Sequence, residues 1–148
     1  MSIVDDLRGN PLFEGVGEEL LTKVSEIASR RSYHRGDTIL ALGAPSTHVY
    51  LLLSGMVLLR LPGRQQDYAI IISTVTEGEL FGISPLLGSS RYTSTATSEK
   101  NTEVIAIEAK PFAELIHTGK LPAYQIMRHV AEMYFRRYVE VLRLYRIW

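Results

Sequence analysis

Gly78-Glu79-Leu80-Phe81-Gly82-Ile83-Ser84-Pro85-Leu86-Leu87-Gly88-Ser89-Ser90-Arg91-Tyr92-Thr93 decides the reading of this chain. Leu80-Phe81 ends an apolar run, and Gly82 relieves a bend. A single helical turn follows the bend, and the chain re-enters a strand around Arg91 after a short loop. Backbone N–H groups at such a turn point one way and suit an anion. The Arg91 guanidinium fork matches a phosphate in shape and charge, and the Ser84 and Thr93 hydroxyls add donors.

Outward from this stretch the pattern is one of short strands. Apolar or alternating runs fall at Thr38–Leu42, Val49–Leu53, Met56–Leu61, Tyr68–Val75, Tyr92–Ser98 and Glu103–Glu108. Turn residues separate them: Arg35-Gly36-Asp37, Gly43-Ala44-Pro45, Ser54-Gly55, Pro62-Gly63 and Glu77-Gly78. Many short strands with regular glycine punctuation predict a mainly β fold, a jelly-roll or β-roll spanning 31–109, in which Ser54-Gly55 makes the clearest hairpin. Helices flank it. Leu20, Leu21, Val24, Ile27 and Ala28 recur at helical spacing within an N-terminal segment at 10–30. Lys110-Pro111 opens a short helix ending at Gly119, and a long helix follows Pro122 within a C-terminal helical segment at 110–148.

The long helix carries a seam. Met127, Ala131, Tyr134, Tyr138, Val141, Tyr145 and Trp148 follow steps of four and three, the spacing of a heptad, with Phe135, Val139 and Leu142 beside it. One stripe packs on the roll and the other meets a second copy, so a homodimer through this helix is expected. The alternative is a helix lying flat with both stripes on its own domain. Its arginines, Arg128, Arg136, Arg137, Arg143 and Arg146 against Glu132 and Glu140, read as a solvated face.

Three blocks stand in order: Tyr33-His34-Arg35-Gly36-Asp37-Thr38-Ile39 with Gly43, Tyr50-Leu51 with Gly55, and Phe81-Gly82 to Arg91. Together they resemble the cyclic-nucleotide-binding domain family, which includes catabolite-activator-type regulators and the regulatory subunits of cyclic-AMP-dependent kinases. The resemblance covers residues 10 to 148 and implies a single domain over 1–148. It also implies a double-stranded β-helix with a phosphate-binding cassette and a C-terminal helix that caps the bound base. Carried over, Gly82 and the amides after it cradle a phosphate, Arg91 is the phosphate arginine, and Thr93 is one of the small residues that follow it. Leu80 and Phe81 hold the cassette strand, Ile71 lines the pocket wall, and Tyr134 and Arg137 cap from the helix.

One position departs from the family. Ile83 stands where the family usually has a glutamate that accepts a hydrogen bond from the ribose 2′-hydroxyl. An unpartnered hydroxyl there costs about 1–3 kcal/mol, roughly ten- to a hundredfold in affinity. Glu79 stands four residues too early to substitute, and Tyr92 is bulkier than the usual small residue and narrows the mouth. The resemblance therefore implies a sensor of cyclic AMP, another cyclic nucleotide or a related phosphorylated small molecule, acting on an effector protein. The competing reading is a roll without a ligand, used as an interaction and dimerisation module.

Composition supports this class. The 148 residues include 46% hydrophobic and 22% charged, enough for one core, and Lys plus Arg equals Asp plus Glu at 16 each. No net field draws in nucleic acid or an acidic membrane, and the sequence reads as stopping where a DNA-binding domain would begin, so direct DNA binding is not expected. Cysteine is absent, which removes disulfides, thiolate metal sites and a thiol nucleophile. No cofactor is expected. His34, His48, His117 and His129 form no His-x-His pair, the first two reading as surface residues. Gly-x-Ser-x-Gly, Walker and His-Glu-x-x-His motifs are absent too, so catalysis is not expected. With no signal peptide and no apolar run near 20 residues, a cytoplasmic protein is the expectation.

Overall fold

The computed structural model describes residues 2–63 and 69–145. Tyr68, Arg146 and Trp148 lie outside the described residues, as does the side chain of Tyr145. Helix α1 (Ile3–Arg8), a 3-10 turn (Pro11–Phe13) and α2 (Glu18–Glu26) lead into strands β1 (Ala28–Tyr33), β2 (Thr38–Leu40), β3 (His48–Ser54), β4 (Val57–Pro62) and β5 (Ala69–Val75). Strand β6 (Leu80–Phe81), a 3-10 turn (Ser84–Leu87), β7 (Thr95–Ser98), β8 (Thr102–Glu108), α3 (Ala109–His117) and α4 (Ala123–Tyr145) complete the order.

The strands make two antiparallel sheets, β1-β8-β3-β6 and β2-β7-β4-β5, packed face to face as a double-stranded β-helix. Tyr50 and Leu52 of β3, with Val104 and Ala106 of β8, turn into the roll and meet Leu40, Val57, Leu59, Val75 and Ala96 of the other sheet. The alternate residues, Val49 and Leu51 with Ile105 and Ile107, turn outward onto Leu7, Phe13, Val24, Phe112 and Ile126 of the helical layer. Both faces of β3 and β8 are therefore buried, which is why they read as unbroken apolar runs. Each such side chain contributes about 1.5–3 kcal/mol of burial.

Three expectations are corrected. The N-terminal helical segment ends at Glu26, and residues 28–33 form β1, paired along its length with β8. Its sequence, Ala-Ser-Arg-Arg-Ser-Tyr, has no apolar pattern, and the ladder to β8 organises it. Second, Ser54-Gly55 is a corner and no hairpin: β3 and β4 belong to different sheets. Gly55 has φ +109°, and a Cβ there would stand 2.3 Å from Thr102 Oγ1, because this crossing stacks on the β7–β8 crossing. Third, α4 packs on the roll through Ile126, Val130, Met133 and Arg137, residues of neither anticipated stripe. Tyr134, Phe135 and Tyr138 remain 39%, 69% and 61% exposed, and Arg137, read as part of a solvated face, is buried.

Candidate functional site

The cassette is built by backbone chemistry. Strand β6 pairs with β3 through Tyr50–Phe81 and Leu51–Leu80, which fixes Leu80 and Phe81 in the buried sheet. Gly82 then turns with φ +65°, and a Cβ there would stand 2.8 Å from Leu40 Cδ2. Only glycine fits both the angle and the space. Ile83 (φ −90°, ψ 0°) leads into the 3-10 turn, which ends on Gly88 in the left-handed region. Pro85 carries no N–H, so the turn offers fewer amides than a fan of successive donors would.

The returning limb is zipped to residues 43–46. Gly43 N donates to Tyr92 O (2.9 Å), Tyr92 N to Ala44 O (3.0 Å) and Ser46 N to Ser90 O (3.0 Å). Tyr92 turns inward, buried against Gly82, and its hydroxyl donates to His48 O at 2.6 Å. Alternation then turns Arg91 outward. Its side chain is exposed, with Nη1 donating to Gly43 O at 2.6 Å. The Ser84 and Ser89 hydroxyls both donate to Arg91 O, at 3.2 and 2.7 Å.

A cavity of about 240 Å³ lies between the roll and α4. Leu40, Leu59 and Ile72 line it from the roll, while Gly82, Ile83, Ser84, Tyr92, Thr93 and Ser94 come from the cassette. Tyr134, Arg137, Tyr138 and Val141 close it from α4. The structure thus brings together seven of the anticipated residues: Gly82, Ile83, Ser84, Tyr92, Thr93, Tyr134 and Arg137. Arg91, Leu80, Phe81 and Ile71 are not among its lining residues. Tyr92 is a wall of the cavity, where the sequence suggested a constriction at its mouth. Ile71 is displaced by one residue: pairing runs Leu59–Ser73 and then Arg60–Ile71, so Ile72 is a bulge that breaks the alternation and itself reaches the cavity.

The cation beside the cavity is Arg137. It is 8% exposed, its Nη2 donates to Leu80 O at 3.0 Å, and its buried Nε has no partner among the described residues. Burial holds the guanidinium below its ordinary range, partly offset by the nearby carboxylates of Glu79 and Glu140. Both carboxylates pair with Arg136 instead. Glu79 also accepts from the Thr76 amide and hydroxyl at 2.8 Å each. Burial alone would raise its pKa, but these bonds and Arg136 outweigh burial and leave it lowered. Glu79 therefore ties the cassette strand to α4 and stands apart from the cavity. Steps of four and three from Ile126 through Val130 and Met133 reach Arg137, a signal present in the sequence but masked by the more aromatic stripe beside it.

Elsewhere, His34 is exposed, whereas His48 is half-buried 3.3 Å from Arg31; burial and then that cation lower its pKa. Among the described residues no cluster of three potential metal ligands occurs, and no helix is long and apolar enough to cross a membrane.

Comparison with known proteins agrees with this architecture. The cyclic AMP receptor protein of Thermus thermophilus is 29% identical over 123 residues, covering 81% of this chain and 55% of that protein. A cGMP-dependent protein kinase of Drosophila melanogaster (isozyme 2, forms cD5/T2) is 26% identical over 114 residues, 76% of this chain and 12% of the kinase. The chain thus spans about half or less of these relatives. Among solved structures, a Geobacter metallireducens protein named for cyclic nucleotide binding superposes with a TM-score of 0.77 at 25% identity, covering 93% of this chain and 98% of that one. The family model for the cyclic nucleotide-binding domain matches residues 30–118, from β1 through the cassette to the end of α3, and the chain belongs to that family.

Proposed function

We propose that this chain is a ligand-sensing regulatory domain. It takes a cyclic nucleotide or a related phosphate-bearing small molecule into the cavity between cassette and α4, and signals through that helix. The observation that carries this reading is the shared wall: Gly82–Ser84 and Tyr92–Ser94 form one side, and Tyr134, Arg137, Tyr138 and Val141 form the other. A molecule bound there contacts both, so its binding energy biases the position of α4. The cavity, at about 240 Å³, is slightly smaller than the roughly 300–1,000 Å³ usual for small-molecule sites, which favours a compact ligand. Support also comes from the Thermus relative, named for cyclic AMP reception.

The output surface is the outer stripe of α4. Tyr124 (79% exposed), Phe135 (69%) and Tyr138 (61%) form an aromatic band that suits a second copy of the helix, with an effector protein responding to the rearranged dimer. Tyr138 belongs to both the cavity wall and this band, which couples occupancy to the seam. A cytoplasmic location fits this role.

Isothermal titration with cyclic AMP, cyclic GMP and simple phosphorylated metabolites tests the reading. Binding is expected, and Ile83→Glu is expected to strengthen cyclic AMP binding about ten- to a hundredfold by restoring an acceptor. Absence of binding by every compound would overturn it. Light scattering tests the seam: a dimer is expected, and Phe135→Glu is expected to leave a monomer.

A further inference from the structure

Arg137 has a property that the cassette lacks. The residue is more than nine-tenths buried, and among the described residues its buried Nε has no partner and no carboxylate forms an ion pair with it. Glu79 and Glu140, the carboxylates that influence it, are both engaged by Arg136. A buried cation without a counter-ion is costly, and a negatively charged group delivered into the cavity relieves that cost. Arg91 cannot serve this way in the observed arrangement. It lies on the far side of the limb that Tyr92 occupies, and it is bonded to Gly43 O.

The rest of the wall is mostly apolar. Leu40, Leu59, Ile72, Ile83 and Tyr92 line the cavity together with Arg137, and Thr93 adds a polar residue to the same lining. Ile83 offers no acceptor to a sugar hydroxyl. We infer that Arg137, carried by the capping helix, is the anion receptor of this cavity, and that its preferred ligand is a compact organic anion: one phosphate or carboxylate head on an apolar or aromatic body. This rests on the cavity being a ligand site. It also makes the recognition residue part of the moving element, so charge neutralisation and helix position become one event.

The test is titration calorimetry on the full chain with 1-naphthyl phosphate, 1-naphthoate, inorganic phosphate, cyclic AMP and cyclic GMP, using wild type, Arg137→Met, Arg137→Lys and Arg91→Ala. At least one naphthyl anion is expected to bind more tightly than inorganic phosphate and cyclic AMP. Arg137→Met is expected to weaken it about ten- to a hundredfold, the loss of a charge-assisted bond, while Arg91→Ala, which only loosens the return limb, weakens it by no more than about threefold. Each compound that binds wild type is expected to raise its melting temperature but not that of Arg137→Met. If Arg137→Met does not fold, Arg137→Lys keeps the test: it loses the planar fork and should bind at least severalfold more weakly. Cyclic nucleotide binding that is lost in Arg91→Ala and spared in the Arg137 variants overturns this inference and leaves the ligand-sensing reading standing. Binding of cyclic nucleotides but of neither naphthyl anion overturns the ligand class. Absence of binding by every probe overturns both.

Discussion

The two walls of the cavity differ in how their polar groups are used. On the cassette, the Ser84 and Ser89 hydroxyls bond Arg91 O, Arg91 bonds Gly43 O, and the Tyr92 hydroxyl bonds His48 O. Those groups are committed to holding a two-residue strand, a single 3-10 turn and a short return limb in one shape. On α4, the length of the helix secures its conformation. Arg137 Nη2 donates to Leu80 O, its Nε has no partner among the described residues, and Tyr134 and Tyr138 border the cavity. On the reading proposed above, the cassette wall serves mainly as scaffold, and the α4 wall supplies the polar group that meets the ligand.

This contrast can be broken most readily at Gly82. Gly82→Ala forces a left-handed φ on an L-residue and pushes a methyl to 2.8 Å from Leu40, so a loss of about 2–4 kcal/mol is expected in chemical denaturation. A loss below 1 kcal/mol would mean that the cassette is pliable. Tyr92→Phe sharpens the point: deleting the hydroxyl leaves the His48 carbonyl short of a donor, at a cost of about 1–2 kcal/mol. Arg136→Ala probes the other wall. The Glu79 pair is half-exposed on the arginine side, so about 0.2–1 kcal/mol is expected. Glu79 has a lowered folded pKa. Its contribution is therefore full above the ordinary value of 4.5 and fades as pH falls through the lowered one, and the deficit of Arg136→Ala should shrink over the same acid range. A deficit above 2 kcal/mol would show α4 clamped as firmly as the cassette.

Much of this architecture is legible in the residues. Strands β2 to β5, β7 and β8 follow from apolar runs between glycines, and the bend at Gly82 from its place after Leu80-Phe81. Local chemistry carries less at three points. Ala28–Tyr33 is a strand because β8 lies beside it, and nothing in its own pattern says so. Ser54-Gly55 has the composition of a hairpin turn, yet the sheet in which β4 finds its partner is settled by long-range packing. Facing was hardest. One bulge at Ile72 changes which isoleucine reaches the cavity, and the inward turn of Tyr92 leaves its neighbour Arg91 exposed and off the cavity lining. On α4 the most aromatic stripe stays largely exposed, while the buried face runs through Val130 and Met133 to a cation.

Hydrogen exchange read by mass spectrometry, with and without saturating ligand, bears most directly on the shared wall. Protection is expected to rise together in 82–94 and 134–141, two segments far apart in sequence that both line the cavity. Protection confined to one of them, or appearing elsewhere on the roll, would contradict a site built jointly by cassette and helix.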